Sequence, residues 1–264
     1  MLGTRRIGHL GTLDPFATGL LVLLIGRVTR LAPYFAGEPK EYDATITFGS
    51  ETDTDDLTGR RTVDAPVPER HRVEAAMTSL TGTIQQQPPA YSAKQVGGVR
   101  AYDAARRGDP LVLRSVSVEV HAWTVRQWRS VAEVDVTITC GGGTYVRALA
   151  RDLGRLVNSA AHLSSLRRMG SGPFRVNDAV ATADLDANVS LRSPLEGLGG
   201  VPVVSVSPED RQRITRGQTI AIAPSWTAGT ASARAVLVGD DGAVVALVER
   251  QGSVWAPKVV LADA

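Results

Sequence analysis

The stretch GHLGTLDPFATGLLVLLIG, residues 8–26, sets a polar turn punctuated by Gly8 and Gly11 against an apolar run, with one carboxylate, Asp14, at the join. Leu20, Leu21, Leu24, Val28, Leu31 and Phe35 recur at steps of three and four, and Pro15 suits a helix start, so the spacing predicts a helix over 17–36. Asp14 then has two readings. It caps that helix, as Asp does before many helices, or it is an ionised carboxylate held at the edge of a cleft, able to act as nucleophile or base.

Working outward, YDATITF (42–48) alternates with β-branched residues and predicts a strand, which runs into the polar loop GSETDTDDLTG. Residues 68–80 read as a helix with Val73, Ala76, Met77 and Leu80 on one face. From Gly82 to Pro110 the pattern breaks, and only Tyr102–Arg107 reads as helical; a stretch this long with little regular structure is functional or mobile more often than packed. Strands are expected at 111–126 and 131–140, followed by a glycine turn at 141–143 and a helix at 145–157. Residues 158–172 read as a polar connection, and a domain boundary falls around 186–200. Beyond it, short Val-rich segments separated by turn signals predict a small β-barrel or sandwich.

Composition narrows the chemistry. One cysteine, Cys140, rules out an internal disulfide framework and a thiolate metal site, and reads as a small buried apolar residue. The four histidines are dispersed, so no metal is expected. GHLGTL lacks the GK[ST] ending and the GxGxxG spacing of phosphate loops. ETDTDD lacks the spacing of a calcium loop and reads as a solvated acidic turn. The longest apolar run ends at Ile25, far short of a membrane span, and no signal peptide is visible, which together predict a cytoplasmic protein.

The net charge is only +2, but it is unevenly spread. Between Cys140 and Arg175 stand six arginines (147, 151, 155, 167, 168 and 175) against the single acid Asp152. Basic blocks inside a near-neutral total predict one polyanion-facing side. A carboxylate that must stay charged away from water needs a fixed cation, and the arginine fork grips a carboxylate with two parallel bonds. Arg147, after a strand and a glycine turn, is a candidate partner for Asp14, with a solvated helix face as the alternative reading. Tyr42, Tyr91 and Tyr145 each sit beside charge or turn residues. Core packing is the first expectation for all three, and for Tyr42, just after Lys40 and Glu41, the second is a platform for a base taken out of a nucleic-acid stack.

Five segments, GHLGTLDPFATGLL, KEYDATITFGSETDTDDLTG, QPPAYSAKQVGGVRAYDAARRG, CGGGTYVRALARDLG and AHLSSLRRMGSGPF, stand in the order and at about the separations of the TruB family of tRNA pseudouridine synthases. The chain resembles that family over residues 5–178. The resemblance implies an α+β pseudouridine synthase fold, with a mixed, mainly antiparallel central sheet flanked by helices and loops. It places the catalytic domain at 1–190, with a mobile RNA-binding loop at about 86–110, and a small β-rich, PUA-like RNA-binding domain at 201–264.

The activity it implies is isomerisation of uridine to pseudouridine at position 55, in the T loop of tRNA, with the base flipped out and Asp14 attacking the uridine covalently, at the base or through a sugar-centred route. Arg147 would pair with Asp14 and keep it ionised. Tyr42 would stack on the base and join the closing proton transfer, Tyr145 and Leu166 would line the pocket, and His9 would occupy space among the displaced loop nucleotides. No cofactor is implied, nor a membrane or an obligate protein partner, and the chain is expected to act as a monomer. Members of the family usually begin with a further strand, carrying a DKP-like motif, and a helix, so this chain is expected to lack one edge of the sheet. A second function class is a non-catalytic tRNA-binding folding factor. An aspartyl phosphotransferase is disfavoured, because the second carboxylate and the lysine of such chemistry are missing.

Overall fold

In the computed structural model, which describes residues 3–35, 39–186, 188–223, 226 and 232–262, the chain divides into two compact units that are not continuous in sequence. One comprises residues 11–22 and 37–179, and the other the described residues of 1–10, 23–36 and 180–264.

The first unit is built on a seven-stranded sheet. Its strands are β1 (Thr18–Gly19), β2 (Lys40–Phe48), β3 (Gly82–Gln86), β4 (Val116–Trp128), β5 (Glu133–Cys140), β6 (Ala161–Ser171) and β7 (Phe174–Arg175). The order is β7-β6-β2-β5-β4-β3, all antiparallel, with β1 parallel against β6. The alternation in β2 sends Tyr42, Ala44, Ile46 and Phe48 to the buried face. There they meet Val73 and Met77 of α1 (Arg70–Ser79) and Leu149 and Leu153 of α3 (Val146–Leu156), while α2 (Ala101–Arg106) lies in the long segment after β3. Burying each such side chain contributes roughly 1.5–3 kcal/mol. The mixed, mainly antiparallel sheet agrees with the expected architecture.

The helix expected over 17–36 does not form. The segment makes β1, then a short strand Leu23–Ile25 paired with Ile7–His9, then a 3-10 helix Gly26–Leu31 and one α-turn Ala32–Phe35. Leu20, Leu24, Leu31 and Phe35 are all buried, so their spacing reported burial and not helicity. Two glycines break the helix. Gly19 has φ +98° and Gly26 φ +65°, and a Cβ on Gly19 would run into the backbone carbonyl of Arg168. Gly19→Ala is therefore expected to cost about 3 kcal/mol or more, since strain and a backbone clash add. Gly26→Ala, with nothing within 4 Å of the added carbon, is expected to cost only about 1–2 kcal/mol. Urea denaturation of the two variants checks the difference, and equal losses would remove the clash from the argument.

Two more expectations are corrected. Residues 82–86, read as patternless, are the edge strand β3. Residues 158–172, read as a polar connection, hold β6, which pairs with β2 along most of its length. The Val-rich C-terminal segments do form strands, which among the described residues make one five-stranded sheet, so the two-sheet sandwich is excluded. A helix missed in the sequence, Pro208–Thr215, is capped by Ser207 and buries Ile214 against Val204, Leu237 and Trp255. Among the described residues no helix is long and apolar enough to cross a membrane.

Candidate active site

The turn before β1 carries Asp14 to the wall of a cleft of about 860 Å³, within the range of small-ligand sites. With no helix at 17–36, the capping reading of Asp14 lapses; its carbonyl closes a turn by accepting from Ala17 N. Its carboxylate is held by Arg147. Nε of Arg147 donates to Oδ2 at 2.8 Å and Nη2 to Oδ1 at 2.6 Å, the parallel fork that favours a planar guanidinium over an ammonium. Asp14 keeps 30% of its side-chain surface exposed, whereas Arg147 keeps 5%. The solvated-face reading of Arg147 therefore fails.

The remaining donors of Arg147 are also committed. Nη1 donates to the Thr54 carbonyl at 2.7 Å, and Nη2 also donates to the Tyr91 carbonyl at 2.9 Å. Nη1 lies 3.7 Å from Oδ2 of Asp56 as well. Asp56 is itself fixed, because its Oδ1 accepts from Thr54 Oγ1, Thr58 N and Thr58 Oγ1 at 2.6–2.9 Å. A guanidinium held on so many sides presents the Asp14 carboxylate in one orientation, which is what an attacking group requires.

Arg147, Arg151 and Arg155 recur every four residues and form one stripe of α3. Each meets the acidic loop: Arg147 faces Asp56, Arg151 bonds Asp55 at 2.9 Å, and Arg155 grips Glu51 with two bonds of 2.7 and 2.6 Å. The ETDTDD loop is thus not a solvated acidic turn, and Arg147 and Arg151 of the basic block are buried against it, while Arg155 stays exposed with its fork on Glu51. Arg168, 1% exposed, is a third buried arginine: its Nε donates to the Leu20 carbonyl at 2.6 Å and its Nη2 to the Gly11 carbonyl at 3.2 Å, strapping the Asp14 turn to β6. Arg155, Arg167 and Arg175 of the six stay exposed, so only half of that block is left to face a polyanion.

Burial pushes the Asp55 carboxyl up to about 6, against the pull of Arg151, Arg147 and Arg155. Folding then takes up a proton at Asp55 between about pH 3.8 and 6. The stabilising contribution is complete below 3.8 and lost as pH rises through 6, a span worth about 3 kcal/mol. Asp55→Asn is expected to flatten the dependence of unfolding free energy on pH across that window, and an unchanged slope would refute the assignment.

Tyr42 and Leu166 face the same cleft from β2 and β6, and Tyr145 from the entry to α3. Burial pushes the Tyr42 phenol up, while the guanidinium of Arg168, its cross-strand neighbour, pulls it down. Tyr91 and Tyr102 add a second aromatic wall, edge to face with ring centroids 6.0 Å apart, and Arg106 lies over Tyr102. His9 belongs to the other compact unit, exposed opposite Leu23 in the short ribbon. Burial pushes the Cys140 thiol up to about 11, consistent with an inert core residue. Among the described residues no group of three or more His, Cys, Asp or Glu is placed to hold a metal. The sequence reading missed Asp56, Arg168 and Gln86. Their signals were an acid cluster and an arginine stripe in one chain, and the middle one of three glutamines before the double proline.

Residues 1–146 match the model of the TruB family pseudouridylate synthase N-terminal domain, and residues 147–196 match that of the tRNA pseudouridylate synthase B C-terminal domain. The chain is 39% identical to the tRNA pseudouridine synthase B of Thermobifida fusca over 272 residues, covering 99% of this chain and 91% of the relative. It is 41% identical to that of Synechococcus elongatus over 269 residues, covering 99% and 90%. Among solved structures, a chain of a Cbf5-Nop10-Gar1 complex matches with a TM-score of 0.71 at 21% identity, covering 99% of this chain and 78% of that one. A chain of an H/ACA RNP bound to a substrate RNA containing 2'-deoxyuridine matches with a TM-score of 0.69 at 19% identity, with the same coverage. At those identities the structural likeness is one of fold.

Proposed function

Because the chain belongs to the TruB family of pseudouridylate synthases, we propose that the tRNA uridine it isomerises is the one at position 55 in the T loop, and that Asp14 is the group that attacks it. The observation that carries this reading is the carboxylate of Asp14, held on both oxygens by a buried arginine and partly open to a cleft.

Uridine and pseudouridine differ in one exchange. The bond from C1′ to N1 breaks and a bond from C1′ to C5 forms; the proton lost from C5 is matched by one gained at N1. No electrons enter or leave, so the residues need only hold, turn and deprotonate. The target base leaves its stack and enters the cleft, an excursion that costs a few kcal/mol and needs a flat surface to receive the ring. Tyr42 supplies that surface and Leu166 and Tyr145 the adjoining wall, while His9 packs among the displaced T-loop nucleotides. Asp14 forms a covalent bond to the uridine, at the base or through a sugar-centred route, that lets the C1′–N1 bond break while the uracil stays enclosed; the base then turns and bonds through C5, and the bond to Asp14 breaks and returns its carboxylate. Tyr42 takes part in moving the C5 proton, its phenol oxygen accepting that proton as its own hydroxyl proton is passed on, with the Arg168 guanidinium beside it. The segment from about 86 to 110 closes on the T arm, and the β-rich C-terminal unit serves as a PUA-like RNA-binding domain. The enzyme works as a monomer in the cytoplasm, without cofactor or protein partner.

The test is incubation of the chain with a T-arm transcript, followed by mapping of pseudouridine. Product at position 55 alone is expected; modification elsewhere with position 55 untouched would overturn the assignment of the site.

A further inference from the structure

Gln86 is the last residue of the edge strand β3, yet its side chain is fully buried. A buried amide must place both an acceptor and a donor, and this one spends both on a single residue. Its Oε1 accepts from Tyr145 N at 2.8 Å, and its Nε2 donates to the Tyr145 carbonyl at 3.1 Å. Tyr145 stands at a junction, where its carbonyl also accepts from Leu149 N at 3.1 Å. Behind it is the glycine turn, with Gly143 at φ +88°, and ahead is α3, whose first turn receives no side-chain cap.

We infer that Gln86 is a positioning residue for the reaction, fixing the ring of Tyr145 at the cleft wall by gripping that residue's backbone on both sides. The inference rests on the function proposed above. The chain leaving Gln86 strengthens the placement. Arg151 donates to the Gln87 carbonyl at 2.8 Å and Arg147 to the Tyr91 carbonyl at 2.9 Å. The start of the segment that crosses the cleft is thus stapled to α3 at three points, and Gln86 is the point that reaches a cleft-lining residue. A base that must stay in register while its glycosidic bond is broken and remade depends on the wall behind it. A displacement of about 1 Å there is enough to lose up to a hundredfold in rate.

The test uses the full chain and a T-arm RNA. Gln86→Met keeps the length and removes both hydrogen bonds. With activity normalised to folded protein by near-ultraviolet circular dichroism, kcat is expected to fall roughly 10- to 100-fold while KM stays within about twofold. In a Tyr145→Ala background, where there is no ring to misplace, the same change is expected to cost about threefold or less. An equal loss in both backgrounds would make Gln86 merely structural and overturn the inference, as would an unchanged kcat. Should Gln86→Met fail to fold, Gln86→Glu, which retains the acceptor for Tyr145 N, is put through the same pair of backgrounds, with a smaller loss expected that again vanishes without the ring. A parent chain that makes no pseudouridine overturns the proposed function and this inference together; an active parent with an indifferent Gln86 overturns this inference alone.

Discussion

Replacing Asp14 with asparagine is expected to lower pseudouridine formation at least about 1,000-fold while leaving T-arm RNA affinity within about threefold. The change is nearly isosteric. The amide oxygen still accepts from the Arg147 fork, so the turn strapped down by Arg168 keeps its place. On the proposed mechanism the anionic oxygen that forms the covalent bond is lost, and the other carboxylate beside Arg147, Asp56, cannot replace it, being 4% exposed and occupied by Thr54 and Thr58. Affinity survives because RNA binding is dominated by contacts to phosphate and sugar, which a single carboxylate in the cleft wall does not make. Single-turnover conversion and a filter-binding titration on the same preparations separate the two quantities. Conversion by the variant within tenfold of the parent would reduce Asp14 to a counter-ion for Arg147. A parent that binds the RNA and yields no product would instead favour the folding-factor reading.

The Asp14–Arg147 pair was legible in the sequence because both residues stand at junctions where a turn meets a regular element, and because their chemistries demand each other. The elements around them were less legible. In 17–36 the apolar spacing was real, but its residues are shared between two compact units, and glycines at φ +98° and +65° cannot sit in a helix. In β6 the alternation that announces a strand is broken by register shifts between Leu163 and Ser165 and between Arg168 and Gly170. Each bulge reverses the phase, so Arg168 points inward where the pattern reads as solvent-facing. The acidic loop and the arginines of α3 were each read alone, as solvated acids and as an RNA-facing patch. Pairing Glu51, Asp55 and Asp56 with Arg155, Arg151 and Arg147 overturns the first reading and takes Arg147 and Arg151 out of the second, and a charge count cannot detect that pairing. Gln86 is the extreme case: a glutamine among three consecutive glutamines reveals its role only when the residue at the start of α3 lies against it.

Arg147→Lys is expected to lower the single-turnover rate about 100-fold or more, although it preserves the charge. The reason is geometric. Arg147 serves Asp14 from two nitrogens and, from the same group, the carbonyls of Thr54 and Tyr91. An ammonium has three donors on one atom and cannot span acceptors arranged around a plane, so at least one is released. If Asp14 Oδ2 is released, the carboxylate regains rotation about its own bond and attacks from many orientations instead of one. If the Tyr91 carbonyl is released, the segment over the cleft loosens instead. The two outcomes differ in measurement, because the first lowers the rate at saturating RNA and the second raises the RNA concentration needed for saturation. Arg147→Met provides the contrast. It leaves Asp56 buried beside no cation, and breaking a buried pair in this way costs about 3–5 kcal/mol of folding stability, whereas the lysine variant is expected to lose about 1–2 kcal/mol, since the charge remains. Thermal denaturation of both variants beside their rates tests the division of labour: charge for the fold, the fork for the chemistry. A lysine variant within threefold of the parent rate would show that charge alone suffices.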